Sequence, residues 1–174
     1  GLGRGSAVLA ASIPLKTLAH NSVFTNRGAN GAAVINCTCS GMKSGVHSQT
    51  PNSSVCSGNS PKRYCTAGNW PLGLNCNAKV TAVFPSCKLK VNKAGTFLGH
   101  NRVPTCLEVM NLNPSVDECD WITAWVDASG GAPGSWNYPY TAAQVQAFYA
   151  GAGSGGNTKA QAHTFFKTYM QTHS

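Results

Sequence analysis

Apolar residues recur at helical spacing in the last third of the chain. One series follows Ser115-Val-Asp-Glu118, which matches a capping box: a hydroxyl and a carboxylate three positions apart that satisfy the first free N–H groups of a helix. Its apolar positions are Val116, Cys119, Ile122 and Val126, spaced three and four apart. Gly130-Gly131 follows, so the pattern predicts a helix that ends near Ala128.

Two further capping boxes predict two further helices. Thr141-Ala-Ala-Gln144 precedes a predicted helix over 142–150, which Gly151 ends. Thr158-Lys-Ala-Gln161 precedes another that runs to about Gln171. The apolar face of that last helix is formed by Ala162, Phe165, Phe166, Tyr169 and Met170. We therefore expect residues 114–174 to form a helical tail.

The first 36 residues have a shorter helical pattern. Ser6 matches a cap for residues 7–12, and Pro14 begins a second piece with Leu15 and Leu18 on one side. A loop around Gly28 then precedes residues 32–35, an apolar and partly β-branched run that is typical of a strand. The segment 1–36 contains no cysteine and is predicted to be a helical start.

The middle of the chain, residues 37–113, has short strand-like runs between polar loops. Residues 79–84 and 87–91 are joined by Pro85-Ser86 and together predict a β-hairpin. Residues 96–98 form a less marked strand candidate. Residues 40–73 consist mostly of Ser, Gly, Asn, Thr and Pro, a composition that hydrophobic burial alone would not keep ordered.

All eight cysteines lie in or next to this middle region. They are Cys37, Cys39, Cys56, Cys65, Cys76, Cys87, Cys106 and Cys119. Their even number and scattered spacing predict about four disulfides and an oxidising compartment, with the disulfides holding the polar loops. Since Cys119 falls on a predicted helix, one disulfide is expected to join the helical tail to the middle region.

These patterns predict an α+β fold in a single domain over residues 1–174. A small antiparallel sheet with long disulfide-bound loops would pack against an N-terminal helix and three C-terminal helices. A length of 174 residues suits one domain with a substantial core.

Composition and charge favour an extracellular or periplasmic protein. Charged residues make up only 10% of the chain, against roughly 25% in a typical domain. The formal charge of +8 reflects few acids rather than dense basic clusters, which argues against nucleic-acid binding. The chain begins at Gly1 without an export signal and has no apolar run long enough to span a bilayer, so we expect a processed secreted form. Asn36 and Asn52 match the glycosylation sequon.

Carboxylates offer one candidate for catalysis. All five acids fall between Glu108 and Asp127, and a glycoside hydrolase would need two of them across a cleft. Glu108 has apolar neighbours that would raise its pKa, which suits a general acid, with Asp120 or Asp127 as its partner. The alternative is a structural role, because acids in the first turns of a helix stabilise its positive end. His100, in a polar Asn/Arg loop, is a further candidate for hydrolytic or nuclease chemistry.

Other site motifs are missing or lack the required context. No His-x-x-x-His or Cys-x-x-Cys spacing occurs, so we expect no metal site. The stretch from Gly151 to Gly156 matches the dinucleotide-binding pattern in letters, but a helix precedes it where that motif needs a strand. We therefore expect no cofactor.

Aromatic residues offer a candidate binding surface. Trp136, Tyr138 and Tyr140 lie within five residues of one loop, and Trp70 lies in the polar middle region. Exposed rings of this kind stack on sugars or anchor protein partners. The alternative is that the rings pack onto the helices and close the loop.

The sequence thus supports two functional hypotheses. The first is a secreted, non-catalytic binding protein that recognises an extracellular protein or glycan or assembles with itself, through the aromatic and cysteine-rich loops. The second is a small secreted hydrolase of polysaccharide or cell wall that uses Glu108 with Asp120 or Asp127.

Overall fold

The computed structural model describes residues 58–130, 138–152 and 158–171. These residues form five α-helices, α1 to α5: Val80–Val83, Cys106–Met110, Glu118–Ala128, Ala142–Tyr149 and Lys159–Tyr169. Two short 3-10 helices precede them, Pro61–Cys65 and Ala67–Asn69.

Helix α3 lies at the centre of the described core. It contacts α2, α4, α5 and the first 3-10 helix, and Trp121, Ile122 and Val126 on it are buried. The Trp121 ring meets Tyr149 of α4 and Phe166 of α5 edge to face, with ring centroids 5.4 and 5.6 Å apart. Such edge-to-face pairs add to the hydrophobic stabilisation of three helices around one indole.

The predicted antiparallel sheet is wrong for the part of the chain that the structure describes. No β-strand occurs among these residues, which are mostly helical. Two isolated antiparallel bridges, Lys79 with Thr105 and Val91 with Arg102, are all the β-type pairing found between described residues. The described chain is therefore an α-helical assembly with irregular connections, not an α+β fold.

The predicted hairpin over residues 79–91 fails because its apolar period is helical. Val80, Val83 and Phe84 are all buried, a spacing of three and four residues rather than two. The Phe84 N–H bonds to the Val80 carbonyl and closes a helical turn, α1, and Pro85 follows. Residues 96–98 form a bend and the start of a turn, with Leu98 exposed, so the third strand prediction is wrong too.

The predicted C-terminal helices are present, and two of their three capping boxes are confirmed. Thr141 and Thr158 each accept a hydrogen bond from a backbone N–H three residues on, and the glutamines at those positions bond back. The box predicted at Ser115 is absent: α3 begins at Glu118, and the Ser115 hydroxyl faces Cys119 Sγ at 3.5 Å. The Glu118 carboxylate does not take part in a capping box and instead accepts a hydrogen bond from Tyr149 of α4.

A capping box that the sequence analysis missed lies at the start of α2. The Thr105 side chain accepts a bond from the Glu108 N–H, and the Glu108 carboxylate accepts one from the Thr105 N–H. The signal is visible in the sequence as Thr105-Cys-Leu-Glu108.

Side-chain burial holds the described part of the polar region in the thiol form. Tyr64 is fully buried, and its ring meets that of Trp70 at 6.1 Å. The Trp70 indole N–H also donates to the Tyr64 carbonyl. The five cysteines in the described ranges, Cys65, Cys76, Cys87, Cys106 and Cys119, are free thiols. The framework of four disulfides stays a prediction.

Several sequence predictions lie outside the described residues. They include the helical start over 1–36, the strand over 32–35, the two sequons, and the cysteines Cys37, Cys39 and Cys56. The prediction of a single domain likewise stays a prediction.

Candidate binding cleft

A cleft of about 530 Å³ opens where the first turns of α3 and α5 meet. It is lined by Val116, Asp117, Glu118, Trp121, Lys159, Ala160 and His163. Its volume is in the range of small-molecule sites, and its lining combines an aromatic face with several ionisable groups. We call it the α3–α5 cleft.

Helical spacing explains why these side chains face one another. Asp117 and Trp121 are four residues apart at the start of α3, and Lys159 and His163 are four apart at the start of α5. Each pair therefore lies on one face of its helix. The Thr158 capping box sets where α5 begins and so where His163 points.

His163 and Asp120 form a short polar contact beside this cleft. His163 Nε2 lies 2.7 Å from Asp120 Oδ2, and Gln171 donates to the other carboxylate oxygen, also at 2.7 Å. The second ring nitrogen, Nδ1, lies 3.9 Å from Asp117 Oδ2. The His163 ring stacks on Trp121 with an interplanar angle of 25°. These contacts fix both the position and the plane of the imidazole.

A second polar group links α3, α4 and α5. The Tyr149 hydroxyl donates to Glu118 at 2.8 Å, and Lys159 Nζ lies 3.6 Å from the centroid of the Tyr149 ring. Burial, aided by the neighbouring Glu118 carboxylate, raises the pKa of Tyr149. The phenol therefore stays protonated and keeps donating to Glu118 across the neutral range.

The cleft is acidic although the chain as a whole is basic. Asp117, Glu118 and Asp120 lie at or beside it, and Lys159 is the lysine in its lining. Of the three acids, Asp117 is the open one, with 79% of its side chain exposed. The chain has only five acids, so most of its carboxylates are gathered here.

Glu108 does not have the raised pKa predicted for a general acid. Arg102 donates two hydrogen bonds to its carboxylate, at 2.9 and 2.6 Å, and the Thr105 N–H donates a third. These bonds lower the pKa of Glu108 to about 2, with Arg102 as the largest cause. A carboxylate held this firmly in its ionised form does not release a proton near neutral pH.

Asp127, the other predicted partner, is buried in a separate network. Its carboxylate accepts hydrogen bonds from the Tyr64 hydroxyl at 2.6 Å, the Asn59 N–H at 2.9 Å and the Asn59 amide at 3.2 Å. Burial raises the pKa of Asp127 well above its usual range, although these bonds oppose the shift. Glu108, Asp120 and Asp127 thus each have their own set of partners, and Asp120 is the one beside the cleft.

His100 lies outside the cleft lining. It has a positive φ of 39°, and its exposed ring meets that of Phe97 at 6.0 Å. Among the described residues, the Phe97 ring is the contact that the structure shows for the His100 ring. The arrangement brings no carboxylate to His100.

The predicted aromatic surface is largely inside the core. Tyr138 and Tyr140 are only 1% and 3% exposed, and Trp70 is 8% exposed. Tyr138 stacks on Phe166, and Tyr140 meets Phe148 and Phe165 edge to face. Both tyrosines therefore fit the alternative in which the rings pack onto the helices, while Trp136 lies outside the described residues.

Three residues of the cleft were not predicted from the sequence: Trp121, Lys159 and His163. A usable signal existed: Lys159 and His163 lie four apart directly after a capping box, which puts both on one face of the first turns. The clustered acids were recognised as a candidate site, but the predicted catalytic partner of each acid was another acid. The partner is a histidine 43 residues further along the chain.

Two further kinds of feature, a metal-ligand cluster and a membrane-spanning helix, do not occur in the described ranges. No group of three or more His, Cys, Asp or Glu side chains there is arranged to hold a metal ion. None of the helices there is long and apolar enough to cross a membrane.

No protein-family model, curated protein or solved structure matches this chain.

Proposed function

We propose that this protein is a binding protein and that the α3–α5 cleft receives a positively charged group of its ligand. An amine or guanidinium group, such as a lysine or arginine side chain on a partner, has the matching chemistry. The observation that carries the proposal is the concentration of carboxylates at one concave site of a chain with a formal charge of +8.

The distribution of partners among the five acids supports this assignment. Glu108 is neutralised by Arg102, and Asp127 is buried, so neither is open to a ligand. Asp117 is mostly exposed, and its ionic partner among the described residues is the His163 ring at 3.9 Å, beyond hydrogen-bonding distance. A ligand cation in the cleft would add hydrogen-bond donors to the Asp117 carboxylate.

The neighbouring side chains are suited to hold a ligand in one orientation. The His163 ring forms a rigid wall, because the Asp120 contact holds one edge and the Trp121 ring, only 2% exposed, supports its face from the core. Rigid aromatic walls lose little conformational entropy on binding. The Lys159 ammonium lies over the Tyr149 ring and repels other positive charges. The cleft therefore favours a ligand that places a single positive group in it.

The direct test is calorimetric titration of the full chain with short blocked peptides. Peptides rich in Arg or Lys are expected to bind, and matched Asp or Glu peptides are not. Replacing exposed Asp117 by Asn should weaken binding about two- to five-fold, as expected for a partly screened ion pair. The control is Asn77→Lys, which raises the net charge by the same amount at an exposed position outside the cleft lining.

Equal weakening by Asp117→Asn and Asn77→Lys would mean that binding follows overall charge, and it would refute the cleft assignment. Preferential binding of the acidic peptides would refute the proposed ligand class.

A hydrolase is the second candidate, favoured by the 2.7 Å contact between His163 and Asp120. In that function His163 would accept a proton from water through Nδ1, and Asp120, held by Gln171, would orient the ring and stabilise its charged form. Asp120 is one of the acids that the sequence analysis singled out, whereas Glu108 is occupied by Arg102. Release of reducing sugar from a polysaccharide panel, lost in His163→Gln and Asp120→Asn but kept in Glu108→Gln, would support it.

Secretion and the identity of the partner belong to the same proposal. The low charge content and the eight cysteines support an extracellular or periplasmic site of action. The ligand would then be an extracellular protein or glycan with a basic group, or a basic segment of a second copy of this chain.

A further inference from the structure

Two thiols from distant parts of the chain approach the same turn of α2. Cys65 ends the first 3-10 helix, and its Sγ lies 3.2 Å from the Met110 carbonyl oxygen. Cys119 is in the first turn of α3, and its Sγ lies 3.1 Å from the Val109 carbonyl oxygen. These are successive carbonyl groups of one helix, which rises only about 1.5 Å per residue, so the two thiols lie beside the same turn of α2. No pair of described cysteines is at disulfide distance, so bond closure requires the two side chains to rotate toward each other.

The electrostatics agree with this proximity. Burial raises the pKa of the Cys65 thiol, and the neighbouring Cys119 sulfur raises it further. One side chain bridges the two elements, since the side-chain amide of Asn111 donates to the backbone carbonyls of both Cys65 and Leu107. The first 3-10 helix is thus fastened against α2 beside both thiols.

We infer that Cys65 and Cys119 are a disulfide pair, which closes when the protein meets a disulfide oxidant and fastens the 3-10 helix Pro61–Cys65 to α3. The pair is independent of the α3–α5 cleft. It lies on one side of α3, and the Tyr64–Asp127 hydrogen bond already joins the same two elements further along that helix. The bond would therefore stabilise an arrangement that the thiol form has already adopted.

The different exposure of the two thiols sets the order of the reaction. Cys65 is half-buried and Cys119 is buried, so Cys65 meets the oxidant first. With oxidised glutathione, the Cys65 thiolate attacks one glutathione sulfur, the glutathione disulfide breaks, and the first glutathione leaves. The Cys119 thiolate then attacks Cys65 Sγ, the new bond forms, and the second glutathione leaves. The two protein thiols lose two protons and two electrons, which the two glutathiones carry away.

The other described thiols define no single pair. Cys106 has both Cys76 and Cys87 as sulfur neighbours, and burial, followed by these two groups, raises its pKa to about 12. The position of Cys65 and Cys119 on neighbouring carbonyls of α2 distinguishes them from this group of three.

Peptide mapping of the native full chain tests the pairing. The protein is oxidised with glutathione disulfide, quenched in acid, alkylated and digested. Trypsin alone is insufficient, because residues 64–79 carry both Cys65 and Cys76, and residues 103–159 carry both Cys106 and Cys119. Cleavage after Glu108 separates the second pair, and chymotryptic cleavage after Leu72 or Leu74 separates the first.

A Cys65–Cys119 linked peptide is the expected result. Alkylation of both residues after oxidation, or a bond from Cys65 to any other cysteine, would overturn the inference.

Thermal unfolding provides a second measurement. Closing a loop of about 55 residues should raise the melting temperature of the oxidised chain by about 5–10 °C over the reduced chain. Cys65→Ser/Cys119→Ser should lose that gain, while the control Cys76→Ser should keep it. A gain that the double variant retains in full would overturn the inference as well.

Discussion

The Tyr64 hydroxyl donates a 2.6 Å hydrogen bond to Asp127 Oδ1, and both side chains are buried. The bond joins the first 3-10 helix to the last turn of α3 across 63 residues of chain. Asn59 completes the network by donating to the Tyr64 oxygen at 2.8 Å and to both carboxylate oxygens. A polar side-chain network therefore fastens a loop segment whose composition alone offers little to bury.

Replacing Tyr64 by Phe should destabilise the protein by about 1–3 kcal/mol at neutral pH, the usual cost of leaving the buried partner of a lost hydrogen bond unsatisfied. Because burial raises the folded-state pKa of Asp127, its contribution to stability is greatest below the unfolded pKa of about 4 and declines as pH rises toward the folded pKa. The hydrogen bond from the Tyr64 hydroxyl lowers the pKa of Asp127 and so opposes the shift caused by burial. Without that hydroxyl the folded-state pKa of Asp127 rises further, so Tyr64→Phe should cost more stability at pH 8 than at pH 4. Denaturant unfolding at both pH values measures it, and Asp127→Asn provides the background in which the pH dependence should vanish. A penalty independent of pH in the unmodified background would contradict this account.

Gly58 should not tolerate a side chain. A Cβ atom there would collide with the Met170 carbonyl oxygen and lie 2.9 Å from both Asp127 Oδ2 and the Tyr138 ring. Gly58→Ala should therefore cost about 1–3 kcal/mol through overpacking, measured by thermal or denaturant unfolding. Gly68→Ala is the matched control, since nothing lies within 4 Å of its Cβ position, and it should be neutral or slightly stabilising. Equal effects of the two substitutions would show that the packing around Gly58 is not as described.

Glu108 should support stability in acid rather than catalysis. Its folded pKa of about 2 lies below the unfolded value of about 4.3, so its contribution is present above pH 4 and is lost as pH falls toward 2. Glu108→Gln should therefore lower the melting temperature by about 2–4 °C at pH 7, a small effect because the ion pair is partly exposed, and the difference should disappear by pH 2. Arg102→Gln, which breaks the same ion pair, should show the same pH profile. A difference that persists at pH 2 would point to a packing role instead.

Lys159 should limit how strongly the α3–α5 cleft attracts cations. Lys159→Gln removes the ammonium over the Tyr149 ring, so the affinity for Arg- or Lys-rich peptides should rise about two- to five-fold and fall again with added salt. Lys167→Gln on the same helix is the control, because Lys167 is exposed and lies outside the cleft lining. Isothermal titration at two salt concentrations measures the difference. A loss of affinity in Lys159→Gln would mean that the ligand is anionic.

Local signals predicted the helices better than they predicted the sheet or the site. The capping boxes at Thr141 and Thr158 were legible because their partners lie three residues away and act before any tertiary contact forms. The box at Ser115 matched the same pattern and failed, because Glu118 bonds to Tyr149, 31 residues away. At Glu118 a long-range hydrogen bond thus stands in place of the predicted local one.

By itself, the sequence determined where α4 and α5 begin and that nearly all exposed negative charge would fall on one short segment. Both follow from interactions between near neighbours in the chain. Only the tertiary structure decided that residues 80–83 form a helical turn, because burial of Val80 and Val83 against the core outweighs the strand preference of their β-branched side chains. It alone also brought His163 to Asp120, since a contact across 43 residues depends on how α3 and α5 pack and on no spacing visible in the chain.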